Sequence, residues 1–378
     1  MRKLKILHIG NGTAFKIKTI INFFKERGHE IHFIPVPPVE ERWGGITYHA
    51  LSPYGRFSKI QVLKNIFSVR QIVNKVKPDV VHSHNATGTG WYGALCGHHP
   101  FVLHAYGSDV LPFTFREKDI LSKVLTLYSC RQADSMIVTG KHMVNGISHL
   151  GVPEEIIKVI PRGVNLDIFR SGLDTSALRN DLKIDESSLI ILSPRYQIDA
   201  KLYNFDTIIE SILYVKKIYP EVIFIQLYDV SLEEDKRALE NMANDFGVSA
   251  NYKIVKAVDN DKMPYFYNLA DIVVSVPSSD GFPVSVLEAS ACATPMVLTE
   301  LDFTAEWFVN GENGILIPER DPESLADAIV KIAKDKSLQQ KMIKRNRSQV
   351  EERADYNKCM KDIEDMYYAL LANHSQNQ

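Results

Sequence analysis

The sequence predicts an α/β protein made of two doubly wound parallel sheets, one after the other along the chain. Three observations lead there. The 378 residues exceed one ordinary core and suit two. Short apolar runs rich in β-branched residues recur with amphipathic, charged segments between them, the βαβ pattern of buried parallel strands. A polar stretch, 167–188, interrupts the pattern once, and the pattern then restarts.

The first array opens with a strand over 4–9, the turn Gly10-Asn11-Gly12-Thr13, and an amphipathic helix over 16–27 that stops at Gly28. A strand over 31–35 completes the βαβ opening. The turn lacks a third glycine and no acid ends the second strand, so dinucleotide binding is a weak reading there. A helix over 59–77 sets Leu63, Ile66, Phe67, Val73 and Val76 among Lys59, Lys64, Arg70, Lys75 and Lys77. Its apolar stripe is read first as sheet packing, and its basic face as a minor reading for anionic lipid. Further strands fall within 79–85, 101–109, 133–139 and 157–165, closing a first domain at 1–170. The second domain, 171–354, has strands expected at 189–192, 222–227, 252–255, 272–276 and 296–298. Asp321-Pro322-Glu323-Ser324 reads as a capped helix start, and a last helix is expected near 355–371.

Composition is that of a globular protein, 45% hydrophobic and 24% charged. The four cysteines have no CxxC spacing and read as thiols of a reducing cytoplasm, not as a disulfide frame or zinc knot. The amino-terminal apolar run is too short for a signal peptide and no run reaches membrane-spanning length, so a cytoplasmic protein is expected. Residues 1–170 carry 22 Lys+Arg against 12 Asp+Glu, and the remainder 22 against 34. That basic half suits an anionic acceptor, an anionic membrane touched peripherally at its inner face, or the acidic half itself. The basic residues are dispersed and no nucleic-acid module is present, which disfavours a nucleic-acid partner.

The stretch Ser278-Ser279-Asp280-Gly281-Phe282-Pro283-Val284-Ser285-Val286-Leu287-Glu288 follows a buried strand and enters a helix. Pro283 is read as the first helical residue, where a missing N–H costs nothing. The N–H groups of Val284 and Ser285 then form an anion site, flanked by the carboxylates of Asp280 and Glu288. Amides for a diphosphate and carboxylates for hydroxyls suit a nucleotide-sugar. The blander alternative is a sheet-to-helix turn whose acids only cap and solvate the helix.

The segment resembles the Glu-x7-Glu stretch of the retaining family-4 glycosyltransferases, with Asp280 in place of the first Glu. The resemblance implies that Asp280 contacts the transferred sugar and Glu288 the ribose, with Gly281, Phe282, Pro283, Val284 and Ser285 around the donor. Arg195 and Lys201 match the family's Arg…Lys pair for the donor diphosphate, spaced one residue wider. Tyr106-Gly107-Ser108-Asp109 stands where the family has His-Gly-x-Asp. Tyr106, or His104 two residues earlier, then replaces the histidine that bonds a sugar hydroxyl, while Asp109 either positions the acceptor or caps the next turn. Gly10, Gly12 and Thr13 fall in the acceptor-side glycine loop, and the usual glycine pair near 299–303 is missing. Phe113, Phe115 and Arg116 make an aromatic–basic patch read as an acceptor or membrane surface, or as local packing.

The implied architecture is GT-B, two Rossmann-like domains facing a central cleft, with the helix over about 355–378 packing back onto the first. The implied reaction moves a hexose or N-acetylhexosamine from a nucleoside-diphosphate sugar, UDP favoured, to an acceptor hydroxyl with retention. The acceptor class is a glycan, a lipid-linked glycan or a small molecule. No cofactor and no metal are expected, because Arg195, Lys201 and the helix start take a metal's place. No acidic pair is read as the Asp-x-Asp of metal-dependent transferases, and His82, His84 and His104 are a minority reading for a zinc or iron site. The rivals are a non-catalytic nucleotide-sugar-binding partner of a transferase and a GT-B epimerase or phosphorylase.

Overall fold

A computed structural model describes residues 2–39, 42–51, 59–115, 118–195, 200–228 and 233–376. Contacts divide the chain into one unit of Met1–Arg162 with Asn357–Gln378, and a second of Gly163–Tyr356.

The first unit begins β1 (Lys5–Gly10), α1 (Phe15–Glu26), β2 (Glu30–Pro35), β3 (Thr47–Tyr48). It continues α2 (Lys59–Val76), β4 (Val80–His84), α3 (Thr89–Cys96), β5 (Phe101–His104), α4 (Pro112–Phe115). It ends α5 (Ile120–Gln132), β6 (Ser135–Val138), α6 (Lys141–Gly146), β7 (Ile157–Val159). All seven strands are parallel, in the order β3-β2-β1-β4-β5-β6-β7, so the winding reverses between β1 and β4. Register sets His8 opposite His82, and His84 opposite His104. Side chains alternate along a strand, so these four histidines share one face of the sheet.

The second unit runs α7 (Ser176–Asp181), β8 (Ile190–Ser193), α8 (Ala200–Tyr203), α9 (Phe205–Val215), β9 (Ile223–Tyr228). Next come α10 (Glu233–Asp245), β10 (Tyr252–Lys256), α11 (Met263–Leu269), β11 (Ile272–Ser275), α12 (Val284–Ala291). Last are β12 (Met296–Thr299), α13 (Asp302–Trp307), β13 (Ile315–Ile317), α14 (Pro322–Lys334) and α15 (Lys336–Arg353). Its six parallel strands take the order β10-β9-β8-β11-β12-β13, and the reversal falls between β8 and β11. Residues 163–170 go with this unit: the Val164 N–H donates to the Ala354 carbonyl at 2.9 Å, and Phe169 lies in the core.

The final helix, α16 (Tyr356–Gln376), returns to the first unit. Tyr367 is fully buried there, stacked on Phe24, with its hydroxyl against His82 Nδ1. Glu364, also buried, accepts from Arg27 Nε at 2.9 Å and meets His29 Nε2 at 2.9 Å. No helix among the described residues is long and apolar enough to cross a membrane.

Helix α14 starts as its residues require: the Asp321 carboxylate accepts from Ser324 N–H at 2.9 Å and Ser324 Oγ at 2.7 Å. Asp321→Ala therefore lowers unfolding free energy by about 1 kcal/mol, read as a lower urea midpoint at unchanged slope.

Candidate active site

In open parallel sheets ligands settle beyond the carboxyl ends of the strands, where the winding reverses. In the second unit the loops leaving β8 and β11 flank that point, and they bring Arg195 and Asp280 into an ion pair and hydrogen bond. The Arg195 guanidinium also lies over the Tyr203 ring, 4.9 Å from its centroid. Burial works against the Arg195 charge, but the Asp280 carboxylate together with Tyr203 and Tyr267 outweighs it, so the guanidinium is held above its ordinary pKa. Its Nε–H is buried with no hydrogen-bond partner among the described residues.

The β11 loop is tied to the start of α9. Ser278 N–H donates to the Leu202 carbonyl at 2.7 Å, and Asn204 Nδ2 donates to the Val276 carbonyl at 2.9 Å and Ser278 Oγ at 3.1 Å. These bonds hold short α8 beside the Asp280 loop. Lys201 belongs to α8, and its side chain lies outside the described residues.

Pro283 is not the first helical residue. It is the N-cap of α12, with extended backbone at φ −72° and ψ 129°, and Val284 is the first residue of the helix. No side chain caps α12 among the described residues. Val286 N–H turns back to the Pro283 carbonyl at 3.1 Å, so the preceding N–H groups of Val284 and Ser285 point out of the helix start. Ser285 Oγ is buried without a hydrogen-bond partner among the described residues. Gly281 is buried in the turn. Phe282 does not face a donor: it packs into the core, 4.7 Å from the Trp307 ring and edge-on to Phe303, because an aromatic beside a sheet end gains more from burial.

Glu288 is buried one turn into α12. Its carboxylate accepts from Tyr267 OH at 2.8 Å and from Asn260 Nδ2 at 3.4 Å. Burial, reinforced by the Glu288 charge, holds the Tyr267 phenol well above its usual range, so it stays a donor. Burial and the same carboxylate push the Cys292 thiol up to about 12, which removes it as a nucleophile at neutral pH. Tyr267 and Asn260 carried no signal in the sequence, since neither shares a periodic element with Glu288. Asp259 and Asp261, which flank Asn260, do stand at Asp-x-Asp spacing, contrary to the sequence reading; both are exposed.

In the first unit the winding reversal lies between the Gly10 turn and the end of β4. A methyl group on Gly10 would meet Ile17 Cδ1 at 2.6 Å and His84 Cβ at 3.2 Å, so this backbone sits directly against His84. Gly12 is buried, and exposed Thr13 donates from Oγ1 to Asn11 Oδ1 at 2.8 Å. Half-buried Tyr106 bonds through its hydroxyl to His84 Nδ1 at 2.9 Å, and His84 Nε2 meets His8 Nδ1 at 3.0 Å. Tyr106 stacks on His104 with ring centroids 4.4 Å apart. His104 is thus a buried platform under Tyr106, not a group open to a ligand, because the larger ring covers it.

The Asp109 carboxylate is taken up by three backbone N–H groups: Ala86 at 2.7 Å, and Tyr106 and Gly107 at 3.0 Å each. It fastens the Tyr106 loop to the β4 loop. Ligand-capable nitrogens of His8, His82 and His84 lie within 4.8 Å of one another. The sequence reading named His104 in place of His8. Both nitrogens of His84 are engaged, one with His8 and one with Tyr106, so a metal there would displace hydrogen bonds. Phe115 is core-packed, while Arg116 and the Phe113 side chain lie outside the described residues.

Two family models match the chain, Glycosyl transferase 4-like over residues 5–140 and Glycosyl transferases group 1 over residues 174–349. An uncharacterized glycosyltransferase of Methanocaldococcus jannaschii is 23% identical over 370 residues, 95% of each chain. The UDP-Gal:α-D-GlcNAc-diphosphoundecaprenol α-1,3-galactosyltransferase of Escherichia coli is 24% identical, across 84% of this chain and 82% of that one. Among solved structures, Anabaena HepE in complex with UDP-glucose superposes with a TM-score of 0.83 at 16% identity, covering 97% of this chain and 100% of that one. Two parallel-sheet α/β units, the paired models and the GT-B neighbours agree: the chain belongs to the family-4 glycosyltransferases of the GT-B fold.

Proposed function

We propose that this glycosyltransferase moves a hexose or N-acetylhexosamine from a UDP-sugar to an acceptor hydroxyl, with retention, in glycan or glycoconjugate assembly. The carrying observation is the meeting of Arg195 and Asp280 at the winding reversal of the second sheet, beside the uncapped start of α12. The named substrates of the Escherichia coli relative and the UDP-glucose of the Anabaena complex support UDP as the nucleotide and a lipid-linked acceptor as one class. Four buried free cysteines fit a reducing cytoplasm.

In this reading the diphosphate lies on the amides of Val284 and Ser285, between Arg195 and Lys201. Glu288, steadied by Tyr267, accepts ribose hydroxyls, and Asp280 accepts sugar hydroxyls. The bond from the anomeric carbon to the diphosphate oxygen breaks, and its electron pair stays on that oxygen. The acceptor oxygen bonds the same face of the carbon, and its proton passes to the departing diphosphate. The two cations and the helix start stabilise the charge that grows on the diphosphate, in the role a metal plays elsewhere. On the first unit Tyr106, seated on His104, offers its phenol to a sugar hydroxyl.

A thermal-shift screen against nucleoside diphosphates and their sugars tests the donor site. The true donor raises the melting temperature by mass action, and Lys201→Ala or Glu288→Ala removes the rise. An unchanged rise in both variants sinks the site assignment. Binding without nucleoside diphosphate release, for any acceptor extract, hands the case to the non-catalytic partner.

A further inference from the structure

The Asp280 loop is held in place by contacts outside the donor site. Between β11 and α12 the chain forms neither helix nor strand over 276–283, so its backbone groups find partners elsewhere. Two of those partners sit at the junction of α8 with α9. Ser278 N–H reaches the Leu202 carbonyl of α8, and fully buried Asn204 reaches the Val276 carbonyl and Ser278 Oγ. Asn204 has left-handed backbone, φ 49° and ψ 48°, a setting uncommon outside glycine and maintained by what surrounds it.

A third segment closes the set. Residues 318–321 alone join β13 to α14, and Asp321 is fixed there as the α14 cap. Glu319, in that short connection, accepts a hydrogen bond from Ser278 Oγ. Arg320 beside it is also left-handed, at φ 56°, and pairs with Asp206 in the first turn of α9 at 3.9 Å.

One proton orders these side chains. The Val276 carbonyl only accepts, so the Asn204 amide turns Nδ2 toward it, and the second hydrogen of that nitrogen goes to Ser278 Oγ. Ser278 has a single hydroxyl proton, for which Asn204 Oδ1, at 3.3 Å, competes with Glu319. A carboxylate is the stronger acceptor, so the bonds run in one direction, from Asn204 to Ser278 to Glu319. Without Glu319 the hydroxyl turns back toward Asn204 and the loop loses its outer anchor. The consequence reaches the chemistry. Helix α8 carries Lys201 and, in Tyr203, the ring beneath the Arg195 guanidinium, while the loop carries the carboxylate that pairs with Arg195.

We propose that Glu319 is a positioning residue for the donor diphosphate: through Ser278 and Asn204 it fixes α8 against the Asp280 loop. The proposal rests on the donor reading above, in which the diphosphate lies between Arg195 and Lys201. Calorimetric titration of the full chain with UDP and with uridine monophosphate (UMP) tests it. Glu319→Ala weakens UDP binding by about tenfold and UMP binding much less, since UMP lacks the second phosphate. Glu319→Gln keeps a carbonyl acceptor for Ser278 and retains most of the UDP affinity. Ser278→Ala weakens UDP to the same extent, and adding Glu319→Ala to it brings no further loss, because both variants cut one chain of bonds. Glu319 is exposed, so its variants keep the parent's melting temperature. A lowered melting temperature with unchanged UDP affinity would make the contact one of folding alone and overturn the proposal. Equal losses of UDP and UMP overturn it too, as do a Gln variant as weak as the Ala one and losses that multiply in the double variant. A parent that binds no UDP, or a Lys201→Ala variant that binds it as tightly as the parent, refutes the donor reading and this proposal with it.

Discussion

Arg195→Ala reduces turnover by about a hundred- to a thousandfold, the scale seen when one preorganised charge stabiliser is removed. The same change leaves Asp280 half-buried without its cation, lowering unfolding free energy by about 2 kcal/mol. The two effects separate in a double mutant. Adding Asp280→Asn to Arg195→Ala restores much of the stability, because no charge is then left unpaired, yet restores no activity. Nucleoside diphosphate release measures the first effect and urea denaturation the second. Full turnover in Arg195→Ala would remove the guanidinium from the reaction, whatever its part in the fold.

Acid destabilises the protein well above the range where carboxylates titrate. Burial lowers His8 to about 3 and holds His82 well below its usual value, so both stay neutral in the folded chain. In the unfolded chain each binds a proton once pH falls below about 6.5. Folded-state values that are depressed give stability that is complete above that point and is lost as pH falls towards them. At about pH 5 the loss is about 2 kcal/mol for His8, and His82 adds to it in the same direction. Melting temperature should thus fall steadily between neutrality and pH 5, and His8→Leu should make that fall shallower even if it lowers stability at neutral pH. A flat profile in the parent would show that the unfolded chain gains no such protons. Glu364 acts in a lower window. Burial opposes its charge, but hydrogen bonds from Arg27 and His29 outweigh that and hold it below its usual value, so its contribution is lost only in stronger acid.

The strands around both reversals were legible because each is a short β-branched run, such as Ile272–Ser275, closed by a turn of small or polar residues. Strand β3 was not read, since two residues hold no period to detect, and three-residue β13 was not read either. At the site, local chemistry was readable and partnership was not. Asp280 and Glu288 stand in one segment, yet their contacts to Arg195 and Tyr267 come from other parts of the chain and depend on sheet order. His8 escaped for the same reason: only the β1–β4 register sets it opposite His82. Phe282 was misread because it lies within a site motif while its ring answers to the core.

Helix α16 gives synthesis an order that chain order alone would hide. Tyr367 and Glu364 complete the interior of the amino-terminal unit, but they leave the ribosome after every strand of the carboxyl-terminal unit. The unit translated first is therefore the last to be sealed. Until then the nascent polypeptide holds His82 and Phe24 without their Tyr367 cover.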